Sequence, residues 1–329
     1  MLIIEYSSSG LMKFNSGFFI NYTICFALAL LMALSVKYSF NKNESQLKIN
    51  CVFVKILNVL SVFYILLLTS KNYIISVSAL SQVTSSQAFS QEGIEMFILI
   101  VSVICALCSI EPLTRTSFVC LSLLWIIILL MCLISYKGWD YENIAPILGN
   151  DIKSTFLNFG GIRVFSSALS LYIIKNLLKK ENEAYFSLKS SVIKTYLIGF
   201  VIIAVCTLSI PYPMSKLYNF SLEGIFSIAK SGVFFHRFEI LLSFSLVIIS
   251  VVSVSLGIYL SSFSLSKLSA LKDTRAYCII LGVVLFYFKQ NYNPEKLLNS
   301  LSDAVSVILY AFLLIKSLLN FINTKKVKI

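Results

Sequence analysis

KGWDYENIAPILGNDIKSTFLNFGGIRVF, running from Lys137 to Phe165, is the stretch on which the fold turns. It opens with aromatic and polar residues, is broken by Pro146, and passes into an apolar segment that holds Asn158-Phe159-Gly160-Gly161 and Arg163 in its interior. Each glycine weakens a helix by about 1 kcal/mol relative to alanine, so two in succession mark a point where a membrane helix can unwind. Unwinding at mid-membrane bares backbone N–H and C=O groups able to hold the carboxylate and ammonium of an amino acid. The same glycines equally let a neighbouring helix pack closely, and the residues alone leave both readings open.

The surroundings of this stretch are those of a membrane protein. Of 329 residues 58% are apolar and 13% charged, with a mean hydropathy of +0.87, against about 25% charged in a soluble domain. About 190 apolar residues suffice for nine or so helices of about 20 residues each and leave little for a soluble domain. Twelve glycines and one histidine argue against a Gly-rich nucleotide-binding loop and a His-rich metal cluster, so neither a cofactor nor a metal is expected. The formal charge of +12 would suggest nucleic acid in a soluble protein. Here the basic residues fall in short loops, where they orient helices and meet anionic lipid, and no nucleic acid is expected.

Hydropathy predicts one transmembrane domain over residues 1–329, all-α and polytopic, with nine spans near 18–36, 52–79, 94–110, 117–136, 154–176, 192–211, 239–262, 275–290 and 299–321. The second, which carries Lys55 and Lys71, reads as one tilted helix rather than two. With the loop after the first span placed inside, 14 basic residues fall inside and 9 outside, Lys71 and Lys289 among the latter. The positive-inside rule then puts the N-terminus outside and the C-terminus in the cytoplasm. The two longest outer loops, 137–153 and 212–238, contain Trp139, Tyr141, Tyr212, Tyr218 and Phe220, which suits aromatic belts along the outer surface.

Charges inside spans are costly and default to functional or paired roles. Lys55, Glu95, Lys194, Glu239, Asp303 and Lys316 lie near predicted ends, where snorkelling to the interface explains them; Arg163 does not. His236 and Glu239 share a helix face three residues apart, but lack a further metal ligand and read as part of an interfacial cluster with Arg237. No nucleophile motif accompanies His236, so no enzyme is expected. The eight cysteines lie almost all in apolar stretches and suggest no disulfide framework; Cys105 and Cys108 read as small buried side chains rather than a redox pair.

The Lys137 to Phe165 stretch resembles the loop and following broken helix of the B subunits of spore germinant receptors, the GerAB-type permease family. Pro146, Leu148, Gly149, Ile152 and Lys153 match the first part of that element, and Phe159 and Gly160 the second. SIEPLTRTSF (Ser109 to Phe118) is similar to the family's short cytoplasmic turn ahead of its fifth helix. FSLEGIFSIAKSGVFFHRFEILL (Phe220 to Leu242) looks like its outer amphipathic segment leading into the eighth helix. The likeness runs collinearly along nearly the whole chain.

The resemblance implies a LeuT/APC-like fold with a broken helix around a small-molecule site. LMKFNSGFFINYTICF (Leu11 to Phe26) resembles the approach to the family's second helix, so the first of the usual ten is expected to be missing. It implies a sensor of small germinants such as amino acids in the inner spore membrane, partnered by A and C subunits and by membrane lipid. Where the family often has an acidic residue after the Phe-Gly break this chain has Gly161, so no proton role carries over to that position. The substrate-binding residues expected on this reading are Asn158, Phe159, Gly160 and Gly161, with Tyr64 on the second span and the Ser243 to Ser255 face of the seventh as further walls. An amino-acid permease that transports its substrate would draw on the same features.

Overall fold

The computed structural model describes residues 20, 22–27, 29–30, 50–83, 91–144, 181–209, 238–268, 273–291, 301, 304–305 and 308–309. The protein is an all-α polytopic membrane protein, and its described residues contain helices, short turns and no strand. Six long helices are α1 (Asn50–Val83), α2 (Gln91–Leu107), α3 (Ile110–Ser135), α4 (Glu181–Ser209), α5 (Phe238–Leu268) and α6 (Thr274–Asn291). Helical residues at 22–27 fall in the first expected span, and those at 301, 304–305 and 308–309 in the ninth. The fifth expected span, 154–176, lies outside the described residues.

Among the described residues four stretches are long and apolar enough to cross a membrane: Val59–Ser78 of α1, Ile110–Ile127 of α3, Lys189–Ser209 of α4 and Phe244–Ser266 of α5. The continuous 34-residue α1 is about 51 Å long at 1.5 Å per residue, well beyond a hydrocarbon layer of about 30 Å. It is one helix, as its sequence suggests. Lys71, tallied above with the outer loops, instead lies inside the apolar part of α1 and is only 4% exposed. Hydropathy windows cannot separate a lysine near a span's end from one buried by its neighbours.

The joint between α2 and α3 also departs from expectation. The segment read as a cytoplasmic turn is almost entirely helix: the turn consists of Cys108 and Ser109, and α3 begins at Ile110. Glu111 and Pro112 both suit a first turn, the one favoured by the helix dipole and the other lacking an N–H that would go unused there. Arg115 then pairs with Glu111 one turn back, at 2.7 Å on an exposed face. Cys108 is exposed in this turn, not buried as the helical spacing with Cys105 suggested, and the seven cysteines whose side chains are described are all unbridged.

α5 lies at the centre, packed against α1, α2, α3 and α6. Short links, 84–90 between α1 and α2 and 269–273 between α5 and α6, make each of those pairs antiparallel. Glu95 of α2 meets Lys289 of α6 while Val103 of α2 faces Gly282 of α6, so α2 and α6 are antiparallel too. It follows that α5 runs parallel to α2 and opposite to α1. Two close approaches fix the packing: a Cβ added at Gly257 of α5 would lie 2.5 Å from Thr69 Oγ1 of α1, and one at Gly282 would lie 2.6 Å from Val103 Cγ2. Small residues at such points let helix backbones approach where no hydrophobic drive brings them together. α3 is peripheral, with Phe118, Val119, Leu129 and Leu133 facing outward.

The first span docks on α4 through aromatic rings. Tyr22 is fully buried, stacks on Tyr196 at 5.3 Å between centroids, and donates its hydroxyl proton towards the carbonyl oxygens of Thr195 and Tyr196. Phe26 stacks on the same Tyr196 at 4.0 Å. At the far end of α4 the beginning of the 137–153 loop folds into two 3-10 turns, Tyr136–Gly138 and Tyr141–Ile144. Asp140 N donates to Leu208 O at 3.0 Å and Asn143 Nδ2 to the same oxygen at 3.3 Å. That carbonyl belongs to the last turn of α4, where no helical partner is available, so the turns cap it.

Candidate functional site

Among the described residues, three groups of polar side chains, most of them buried, lie between the apolar helices. The first is a polar block in α1, Thr69-Ser70-Lys71-Asn72-Tyr73, followed by Ser76. Every residue from Lys71 to Val77 is buried, so α1 is enclosed on all sides there. A membrane helix that buries lysine, asparagine and tyrosine within two positions faces protein or an internal cavity rather than lipid. Thr69 and Ser70 return their hydroxyls to the carbonyls of Ile65 and Leu66.

The second is the serine-rich α5, in which Ser245, Ser250, Ser255, Ser261, Ser262 and Ser264 are all buried. Most of these hydroxyls donate to a carbonyl three or four residues back, Ser255 to Val252 and Ser262 to Ile258 among them. Ser250 does not. Its Oγ, like Ser76 Oγ on α1, is fully buried and has no hydrogen-bond partner among the described residues. Buried hydroxyls ordinarily find a partner, and these two keep hydrogen-bonding capacity that no described residue takes up. Beside them, Ser102 of α2 donates to Val251 O at 3.3 Å and ties α2 to this part of α5.

The third is an ion pair, Glu95 Oε1 to Lys289 Nζ at 2.9 Å, with side chains only 7% and 15% exposed. Tyr73 of α1 donates its hydroxyl to the Glu95 backbone carbonyl at 3.3 Å, so three helices converge on Glu95. The snorkelling expected for Glu95 is therefore incorrect: its carboxylate turns inward to a lysine 194 positions away in sequence. Nothing local in the sequence pairs the two, whereas the polar run at 69–73 was a visible signal for the first group.

Of the residues expected to bind substrate, Tyr64 is buried to 1% exposure on α1. Asn158, Phe159, Gly160 and Gly161 lie outside the described residues, as do Arg163, His236 and Arg237. Tyr64 lies on α1 and the Ser243 to Ser255 face on α5, two helices that pack together and approach closely at Thr69 and Gly257.

A family profile described as "Spore germination protein" matches residues 18–297. The chain belongs to the spore germination protein family. The match takes in all six described long helices, with the polar block of α1, the serines of α5 and the Glu95–Lys289 pair. No curated protein matches the chain. Membership gives this membrane protein a germination-related permease or receptor role, in a family of transporter or receptor type rather than of enzymes.

Proposed function

We propose that the chain is the germinant-recognition subunit of a spore germination receptor in the inner spore membrane, working with A and C subunits. It binds a small molecule such as an amino acid within the membrane, and no chemistry on the ligand is required. The observation that carries this reading is the family match over residues 18–297 in a chain whose central helices bury the Ser76 and Ser250 hydroxyls with no partner among the described residues. The ligand is held at the helix break around Asn158, Phe159, Gly160 and Gly161, with Tyr64 of α1 and the Ser243 to Ser255 face of α5 as further walls. Binding favours one helix arrangement over another, and the difference in affinity between the two states transmits the signal.

Spores carrying Gly160→Leu test the site, because leucine both restores helix propensity and fills the space a ligand needs. At equal protein level the germinant concentration for half-maximal response should rise at least tenfold; an unchanged value removes the break from the binding site. The permease reading rests on the same residues and is tested by uptake of radiolabelled amino acids into vesicles. Uptake that depends on this chain would replace sensing with transport.

A further inference from the structure

Glu95 and Lys289 lie far apart in sequence, yet their charges meet at 2.9 Å between α2 and α6, both largely shielded from solvent. Taking two charges out of water costs more than their attraction reliably returns, so an apolar pair of similar size would serve stability as well or better. The contact next along the same interface is of that kind: Gly282 lies against Val103 with no polar group involved. A buried pair is best accounted for by what it selects, since it is satisfied in one helix arrangement and leaves two orphaned charges in any arrangement that parts the helices. Tyr73 brings α1 into the same junction through the Glu95 carbonyl. That link reaches the helix carrying Lys71, Asn72, Ser76 and Tyr64, and so couples the pair to the seam with α5.

We propose that Glu95–Lys289 is a conformational clamp, holding α2 against α6 in the resting state and setting how much ligand binding is needed to part them. This rests on the recognition reading given above. Of the other charged groups described on α2 and at the ends of α6, Glu92 is exposed, and Asp273 and Arg275 stand at the opposite end of α6 from Lys289; on α1 the buried Lys71 lies two residues from Tyr73.

The decisive variant is Glu95→Met/Lys289→Met, compared with each single change and with the exchanged pair Glu95→Lys/Lys289→Glu. Single changes leave one buried charge and should lower the thermal midpoint of the purified protein, while the double methionine variant recovers it. At equal protein level, spores with the double variant should reach half-maximal response at a germinant concentration at least tenfold lower, a shift worth about 1.4 kcal/mol. An unchanged concentration overturns the clamp. Should the double variant not accumulate, the exchanged pair decides: parental level with parental response supports the clamp, and parental level with a tenfold shift overturns it. If deleting the whole chain leaves every amino-acid response intact, the recognition reading falls by itself. The clamp is then judged by amide exchange in purified protein, where faster exchange in the turns around Glu95 and Lys289 of the double variant supports it and unchanged exchange overturns it.

Discussion

Ser109 carries the one positive φ among the described non-glycine residues, at φ 89° and ψ 172°. That region is populated almost only by glycine, and a side chain held there costs on the order of 1–3 kcal/mol. The cause is the brevity of the joint: two residues must reverse the chain between α2 and α3, and Ser109 makes no side-chain cap bond in return. Ser109→Gly should therefore raise the stability of the purified protein by about 1 kcal/mol, and Ser109→Val should lower it by more. Equal thermal midpoints for parent and glycine variant would disprove the strain. Tyr22 permits a second test. Tyr22→Phe keeps the stack on Tyr196 but loses the hydroxyl contact to the α4 backbone, at a cost of about 1 kcal/mol. Tyr22→Ala loses the stack as well and should cost about 3 kcal/mol or more in unfolding measurements. Neither effect was legible from sequence, because nothing there marks Ser109 as holding a positive φ or pairs Tyr22 with Tyr196.

Helices were the most legible level, since long apolar runs have few alternatives in lipid. Span ends were less so, because polar first turns such as Glu181–Asn182–Glu183 of α4 are helical without being apolar, and hydropathy trims them away. Helix contacts were not legible at all: nothing in the sequence says that Gly257 of α5 meets Thr69 of α1 rather than open space. The structure makes that contact testable. Gly257→Ala pushes a methyl group against a β-branched side chain with little freedom to turn aside, and should cost about 1–3 kcal/mol in unfolding measurements. Gly138→Ala, in a 3-10 turn where an added Cβ meets nothing within 4 Å, should be neutral. Similar losses for both variants would mean that glycine matters for backbone freedom, not for the α1–α5 approach.

At the scale of the whole molecule the family and its membrane character were legible in the sequence, through composition and collinear motifs, whereas the direction of the chain across the membrane rests on charge counting. The structure adds a native reporter for that direction. Cys108 is exposed in the short turn between α2 and α3, at the opposite end of α2 from Glu95, while the other cysteines whose side chains are described are buried or partly so. With the N-terminus outside, the α2–α3 turn faces the cytoplasm. A membrane-impermeant maleimide should then label the parent in inside-out vesicles or permeabilised cells and not in intact ones. The difference between parent and Cys108→Ser isolates this site from Cys51, which the same reading puts on the cytoplasmic side. Labelling of Cys108 in intact cells would invert the topology. The end of the bundle holding Glu95, Lys289 and the capped terminus of α4 would then face the cytoplasm, and a germinant arriving from outside would meet the α2–α3 turn first.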